Sequence, residues 1–332
     1  MPRTRGALRW TVTRFWKHTI VYHQGMKRRD LLKIATSAVA SPAILSPAPA
    51  RRLPIAVSTL GCPKWDWNTI IKNTSQWGFA ALELRGIQDQ MDLPKCPEFS
   101  GTRLQGALRD LSAAGLTISD LGASAQMHEP DPAKRASHMD EGRRFIDLAH
   151  RLHVPYVRVF PDRFIPGEDQ RVTIARVSDG LHQLGEYAAA AGVTVILESH
   201  GEFRRAEHII PVMEGAKSKN VAFLWDAHHT CVEGEKPADT YRQLGRYTRH
   251  VHLKDSLPIP GKPKEERRYV LTGTGDIPVK ETVRVLASNG YKGYYCFEWE
   301  KRWHPEIEEP EVAFPDYAKT MRQYLAEANV KA

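Results

Sequence analysis

The 332-residue sequence predicts an α/β fold, a single-domain (β/α)8 TIM barrel behind an N-terminal leader. Three observations predict it. From Leu53 onward, eight short apolar runs alternate with longer helical patterns, the order that builds parallel βαβ units. Eight such units in about 280 residues suit a closed barrel. No G-x-G-x-x-G follows the first strand, which weighs against a doubly wound open sheet.

The predicted strands cover residues 53–59, 79–84, 116–122, 156–160, 193–198, 221–226, 250–254 and 294–299. The predicted helices cover 68–77, 102–114, 134–152, 169–191, 206–217, 237–246, 278–289 and 315–328. Gly78, Gly115, Gly192 and Gly290 each stand just past a helix, where a left-handed cap is expected. No linker divides residues 51–332, which form the predicted domain.

The net charge of +8 invites a nucleic-acid partner until it is located. Residues 1–50 hold nine Lys and Arg against one acid, Asp30, so the whole excess sits there and the body is balanced. A phosphate-tracking surface is therefore not expected. Within the leader, Met26-Lys27-Arg28-Arg29-Asp30-Leu31 precedes a mildly apolar run over 34–45 and the small residues 46–50. This resembles a twin-arginine (Tat) export signal, with Leu31 where that pattern prefers Phe, and it implies a periplasmic or otherwise exported protein. Met26 is the expected start, with 1–25 an upstream extension. The apolar run is too short to span a bilayer, and no later run reaches about 18 apolar residues. Cys62, Cys96, Cys231 and Cys296 are irregularly spaced without C-x-x-C. They read as small core residues, and Cys62 with Cys96 is the one pair worth testing as a disulfide.

Strand parity locates the chemistry, because barrel strands point alternate side chains inward. In the fifth strand Val193, Val195 and Leu197 face the helices and Glu198 faces in. In the sixth, Val221, Phe223 and Trp225 face out and Asp226 in. In the seventh, Val251 and Leu253 face out while His250, His252 and Lys254 face in. In the eighth, Tyr295, Phe297 and Trp299 face out and Glu298 in. Four adjacent strands thus carry an inward ionisable residue at the C-terminal end, where barrel active sites form. Three carboxylates and an imidazole need a cation between them. Glu198, Asp226, His252 and Glu298 make an O3N donor set for one divalent ion, Mn²⁺, Mg²⁺, Co²⁺ or Zn²⁺.

Other residues are candidates for substrate contact. Glu83, Arg85 and Arg158 have inward parity and serve either sugar hydroxyls or an internal Glu83–Arg158 ion pair. His128 and His200 fall on loops at the same end. Lys254 contacts a substrate oxygen or pairs with Asp255 or Glu298. Trp65 and Trp67 stack on a ring or pack as lid or core. His250 reads as a hydrogen-bonded core histidine. Gly273-Thr274-Gly275-Asp276 reads as a helix-entry turn rather than a phosphate cradle. The loop over 300–311, with Trp303 and His304, is long enough to cover the top face.

Leu197-Glu198-Ser199-His200, Trp225-Asp226-Ala227-His228-His229, His250-Val251-His252-Leu253-Lys254-Asp255 and Phe297-Glu298-Trp299-Glu300 resemble motifs of xylose isomerase-like TIM barrels. That group takes in sugar phosphate isomerases/epimerases, ketose 3-epimerases, inosose dehydratases and endonuclease IV. The resemblance runs from about Pro54 to Leu325. It implies that Glu198, Asp226, His252 and Glu298 bind one metal, that Glu198 and Glu298 exchange protons with substrate carbon, and that His229 contacts substrate. The expected activity is a carbohydrate isomerase or epimerase working through an enediolate. A dehydratase or lyase uses the same proton abstraction. An endonuclease IV-like nuclease needs further histidines that are missing here, since Asp255 is followed by Ser256 and Leu257. A non-catalytic sugar binder would normally have lost metal ligands. The expected partner is a small carbohydrate, non-phosphorylated because an exported enzyme seldom meets sugar phosphates, and the body is compatible with an oligomer.

Overall fold

Eight parallel strands close on themselves in the order β1-β10-β7-β6-β5-β4-β3-β2. The structure is a computed structural model and describes residues 52–331; the expected twin-arginine leader lies outside them. The barrel strands are β1 (Ile55–Ser58), β2 (Ala81–Leu84), β3 (Thr117–Gln126), β4 (Tyr156–Phe160), β5 (Thr194–Glu198), β6 (Val221–Asp226), β7 (Thr248–Leu253) and β10 (Tyr295–Phe297). Between β7 and β10 an antiparallel hairpin, β8 (Asp255–Pro258) and β9 (Arg267–Val270), rises from the C-terminal rim. Among the described residues no helix is long and apolar enough to cross a membrane.

The alternation of side chains is as the sequence predicts. Val195, Leu197, Phe223, Trp225, Val251, Leu253, Tyr295, Phe297 and Trp299 join one cluster between barrel and helices. Phe297 stacks on Tyr317 of the last helix at 4.3 Å, and the Tyr317 hydroxyl donates to the Tyr295 carbonyl at 3.0 Å. Inside the barrel, Ala56, Ala81 and Cys296 form one small plug and Ile196, Ala222 and Leu224 another. These small and aliphatic groups fill the barrel interior beside the polar side chains, with Cys296 in register with His252 and Leu224 with His250.

Helix ends follow local rules. Asp66, Asp131 and Asp169 cap their helices by accepting backbone N–H bonds. Gly115 and Gly192 close theirs at φ of 63° and 67°, where a Cβ would be strained. The last helix differs from expectation. It spans Pro310–Glu327, with Pro310 in the first turn and Pro315 inside. A Pro suits the first turn, where its missing N–H costs nothing; two prolines five residues apart offer two starts, and the helix uses Pro310 rather than the expected Pro315. The hairpin and the short helix Ala227–Val232 were also unforeseen, being too short and polar for periodicity to show. Cys62, Cys96, Cys231 and Cys296 are all free thiols, so Cys62 and Cys96 are not bridged. Burial raises the Cys96 thiol to about 12, which keeps it protonated and unreactive.

Candidate metal centre and active site

Glu198 ends β5, Asp226 ends β6, His252 lies near the end of β7 and Glu298 directly follows β10. All four are buried, and one donor atom from each lies within 4.8 Å of the others. From His252 Nδ1 it is 3.2 Å to Glu298 Oε2, 3.7 Å to Glu198 Oε1 and 3.9 Å to Asp226 Oδ2. Asp226 has two jobs. Its carboxylate caps the short helix Ala227–Val232 by accepting the His229 N–H at 3.2 Å. That bond uses Oδ1 and leaves Oδ2 facing the cluster.

The donor set fits a divalent ion on the structure's own terms. Glu198 Oε1, Asp226 Oδ2 and Glu298 Oε2 all lie within 4 Å of His252 Nδ1, which is itself buried without a hydrogen bond of good geometry. Such an unmet buried nitrogen costs roughly 1–3 kcal/mol. A cation among the four donors would satisfy it. Hard carboxylate oxygens with one imidazole suit Mn²⁺, Mg²⁺, Co²⁺ or Zn²⁺.

Charge partners differentiate the carboxylates. Burial lifts Asp226 to about 7, even against Lys254. Burial also opposes ionisation of Glu298, but His252 and Lys254 outweigh it and hold the carboxyl well below its usual range. Glu198 is pushed up by burial and by Glu298, and Arg158 and His252 bring it lower overall. His252 is disfavoured as a cation by burial, yet the Glu298 and Glu83 charges raise it well above its ordinary value.

Over the cluster sits a cavity of about 90 Å³. Of the residues singled out from sequence, Arg85, Arg158, Glu198, His200, His229, Lys254, Glu298 and Trp303 line it. Arg158 Nε lies 3.1 Å from Glu198 Oε2, with its guanidinium 3.9 Å from the centre of the Phe160 ring. Arg85 beside it donates to Ser124 Oγ at 2.9 Å. Burial and the Arg158 charge bring Arg85 down to about 9. His229 Nε2 stands 3.4 Å from Asp226 Oδ2, and burial with Lys254 holds the ring well below its usual pKa, hence neutral. His200 Nδ1 pairs with Asp162 Oδ1 at 3.1 Å.

Several expectations are corrected. Glu83 does not pair with Arg158 and does not reach the cavity. It is fully buried, and its Oε2 lies 2.5 Å from His252 Nε2. This fixes which imidazole nitrogen is left for a metal, the outer-shell role a carboxylate commonly plays behind a ligating histidine. His128 is also fully buried, with neither ring nitrogen hydrogen-bonded, and does not line the cavity. The rim folds over it, so it is not placed to touch substrate. Lys254 lines the cavity, but its ammonium is taken by protein carboxylates. It lies 2.7 Å from Asp226 Oδ2, 2.7 Å from Glu300 Oε1, and on Glu298; Asp255 is not a partner. Trp67 packs in the core against Phe99 and donates to Asp110. Trp65 packs against Trp77 and Phe314.

Gly273-Thr274-Gly275-Asp276 does cradle an anion, and the anion is internal. The Asp255 carboxylate accepts the N–H groups of Gly273 and Gly275 at 2.9 Å, Ile277 at 3.2 Å and Ser256 at 2.9 Å. A Cβ on Gly275 would lie 2.1 Å from Asp255 Oδ1. Sequence reasoning missed this, along with Asp120, Asp162 and the Glu300–Lys254 pair. Asp162 has a positive φ of 76°, and a Cβ on Gly201 would sit 1.8 Å from its carbonyl oxygen. The signal was a Pro-Asp after the fourth strand facing a glycine after the fifth.

Comparison with known proteins agrees with this architecture. The family described as xylose isomerase-like TIM barrel matches residues 71–324. Inosose dehydratase of Geobacillus thermodenitrificans is 30% identical over 163 residues, 45% of this chain and 52% of that protein. The chain spans about half the length of the curated relatives it matches. Among solved structures, the IOLI protein with a zinc atom superposes at a TM-score of 0.70 and 16% identity, over 83% of this chain and 99% of that one. D-Psicose 3-epimerase of Clostridium cellulolyticum H10, solved with D-tagatose, gives a TM-score of 0.65 at 19% identity, over 82% and 99%.

Proposed function

The chain belongs to the xylose isomerase-like TIM barrel family, and on that premise we propose that it is a divalent-metal-dependent sugar isomerase or epimerase. In this reading a proton next to a carbonyl is removed and returned through an enediolate. The observation that supports it is the convergence of Glu198, Asp226, His252 and Glu298 on one point beneath a cavity.

Glu198, Asp226, His252 through Nδ1, and Glu298 would hold the ion. When bound, it supplies carbonyl polarisation and stabilises negative charge on the sugar oxygens. Glu198 and Glu298 come from β5 and the end of β10, with β6 and β7 between them, so they approach a bound ring from different sides. One takes the proton from carbon and the other delivers one, giving inversion. Arg158 holds the Glu198 carboxylate in place. Neutral His229 offers a donor or acceptor to a hydroxyl, and Glu300 and Trp303 screen the site from water.

A dehydratase is the second reading, supported by relatives named inosose dehydratase. The same base removes the same proton, and a β-hydroxyl then leaves. Export through the Tat-like leader is also part of the proposal, and with it a non-phosphorylated substrate. The pairing of Arg158 and Lys254 with protein carboxylates fits an uncharged sugar.

Solvent-deuterium incorporation followed by NMR, over keto-sugars and cyclitols with Mn²⁺, tests the proposal. Exchange without dehydration is expected. Loss of water makes the protein a lyase, turnover of phosphorylated ketoses alone overturns the substrate class, and no exchange anywhere removes the isomerase reading.

A further inference from the structure

A second cavity adjoins the first. Its volume is about 460 Å³, and Trp303 lines both. The wall between them is thin: Leu60 lines the catalytic cavity and Cys62 the neighbour, and Arg302 N donates to the Leu60 carbonyl at 3.2 Å across it. The sizes are unequal in a telling way. One water needs roughly 10–15 Å³ on this scale, so 90 Å³ is room for only about six to nine waters, and a second sugar ring cannot share it. The larger cavity falls in the range of about 300–1,000 Å³ typical of small-molecule sites.

The lining suits a saccharide. Trp303, 55% exposed, presents aromatic surface, and the largely buried Trp65 lines the same cavity; an exposed indole packs against the C–H face of a pyranose. Lys64, Asp89 and Glu311 put exposed polar groups around it, matched to hydroxyls.

Building on the proposed function, we propose that this second cavity binds the non-reacting half of a glycoside, a second pyranose joined to the ring that sits over Glu198 and Glu298. The preferred substrate is then a keto-disaccharide rather than a free monosaccharide. Binding energy from the remote ring is available to orient the reacting one.

The test compares a keto-disaccharide with the free keto-hexose that forms its reacting ring, in the Mn²⁺-loaded full chain. The readouts are kcat/KM for deuterium exchange and affinity by calorimetry. Wild type should prefer the disaccharide at least tenfold. Lys64→Trp and Glu311→Trp fill the second cavity without touching the first. Each should erase the preference while leaving hexose exchange within twofold. Equal kcat/KM in wild type, or a preference kept by both variants, overturns the subsite. If neither sugar exchanges but the disaccharide binds tenfold tighter and the variants abolish that gain, the subsite stands and the isomerase reading falls. Absence of both exchange and differential binding sinks both.

Discussion

Two groups of buried carboxylates and histidines lie one beneath the other in the barrel, and they differ in what they adjoin. In the deeper group, Glu83, Asp120 and His250 answer one another. His250 Nε2 lies 3.2 Å from Asp120 Oδ1 and 3.5 Å from Glu83 Oε2, and the Ser119 hydroxyl donates to Asp120 at 2.7 Å. In the upper group, Glu198 and Glu298 line a cavity, and Asp226 and His252 place donor atoms within 4.8 Å of them. Burying charge is tolerable only with partners in place. Both groups leave buried polar atoms without a hydrogen bond, Glu83 Oε1, Asp120 Oδ2 and His250 Nε2 below and Glu198 Oε2, Asp226 Oδ2 and His252 Nδ1 above, but the upper group adjoins a cavity and has a donor set that fits an ion. His252 belongs to both, with Nε2 on Glu83 and Nδ1 among the upper carboxylates.

The largest test of this contrast is Glu198→Gln or Glu298→Gln. Either should cut deuterium exchange by about 10²–10⁴-fold while the circular dichroism spectrum is kept. Unchanged exchange would remove that residue from the chemistry. Chelation comes next. Saturating metal at about 100 times its Kd contributes about 2.7 kcal/mol of stability, so stripping it should lower Tm by about 5 °C. Glu298→Gln should respond far less to the chelator. A Tm indifferent to metal in wild type would mean that the upper group is complete without one.

Breaking the link between the groups should have a smaller effect. Glu83→Gln should weaken Mn²⁺ binding by about 10–100-fold in a calorimetric titration, because His252 Nε2 loses its charged partner. Unaltered affinity would show that the imidazole is oriented by packing alone. The mildest change lies in the deeper group. Burial and the Glu83 charge raise Asp120 to about 7, above an unfolded value of about 3.9. The folded state therefore holds that proton more tightly. Its stabilisation is complete below about pH 3.9 and is lost as pH climbs toward 7. Asp120→Asn should accordingly raise Tm more at pH 8 than at pH 5, and a gain equal at both would contradict the assignment.

The contrast also explains what the sequence could and could not reveal. The upper group was legible because each member ends a strand of regular alternation, with apolar neighbours such as Val195, Leu197, Phe223 and Val251 fixing the inward side. The deeper group was not. Asp120 sits on β3, whose pairing shifts register against both neighbours, between Leu82 and Glu83 on one side and between Gly122 and Gln126 on the other, so a strict period of two fails there. Glu83 had the right parity, but parity does not say which cation an acid meets, and Arg158 went to Glu198 instead. His128 followed the third strand as expected, yet depth below the rim is a property of how loops fold over one another. The 255–270 hairpin had no apolar alternation to announce it, and what fixes its base is a carboxylate meeting four backbone N–H groups.

That anchored base has a practical side. With Asp255 clamped at the foot of the hairpin, its tip around Lys262 projects into solvent, decoupled from the floor of the cavity. The tip is therefore a natural grafting point. A fluorophore, an affinity handle or a surface tether placed there would report on or immobilise the protein while leaving the approach to Glu198 and Glu298 clear.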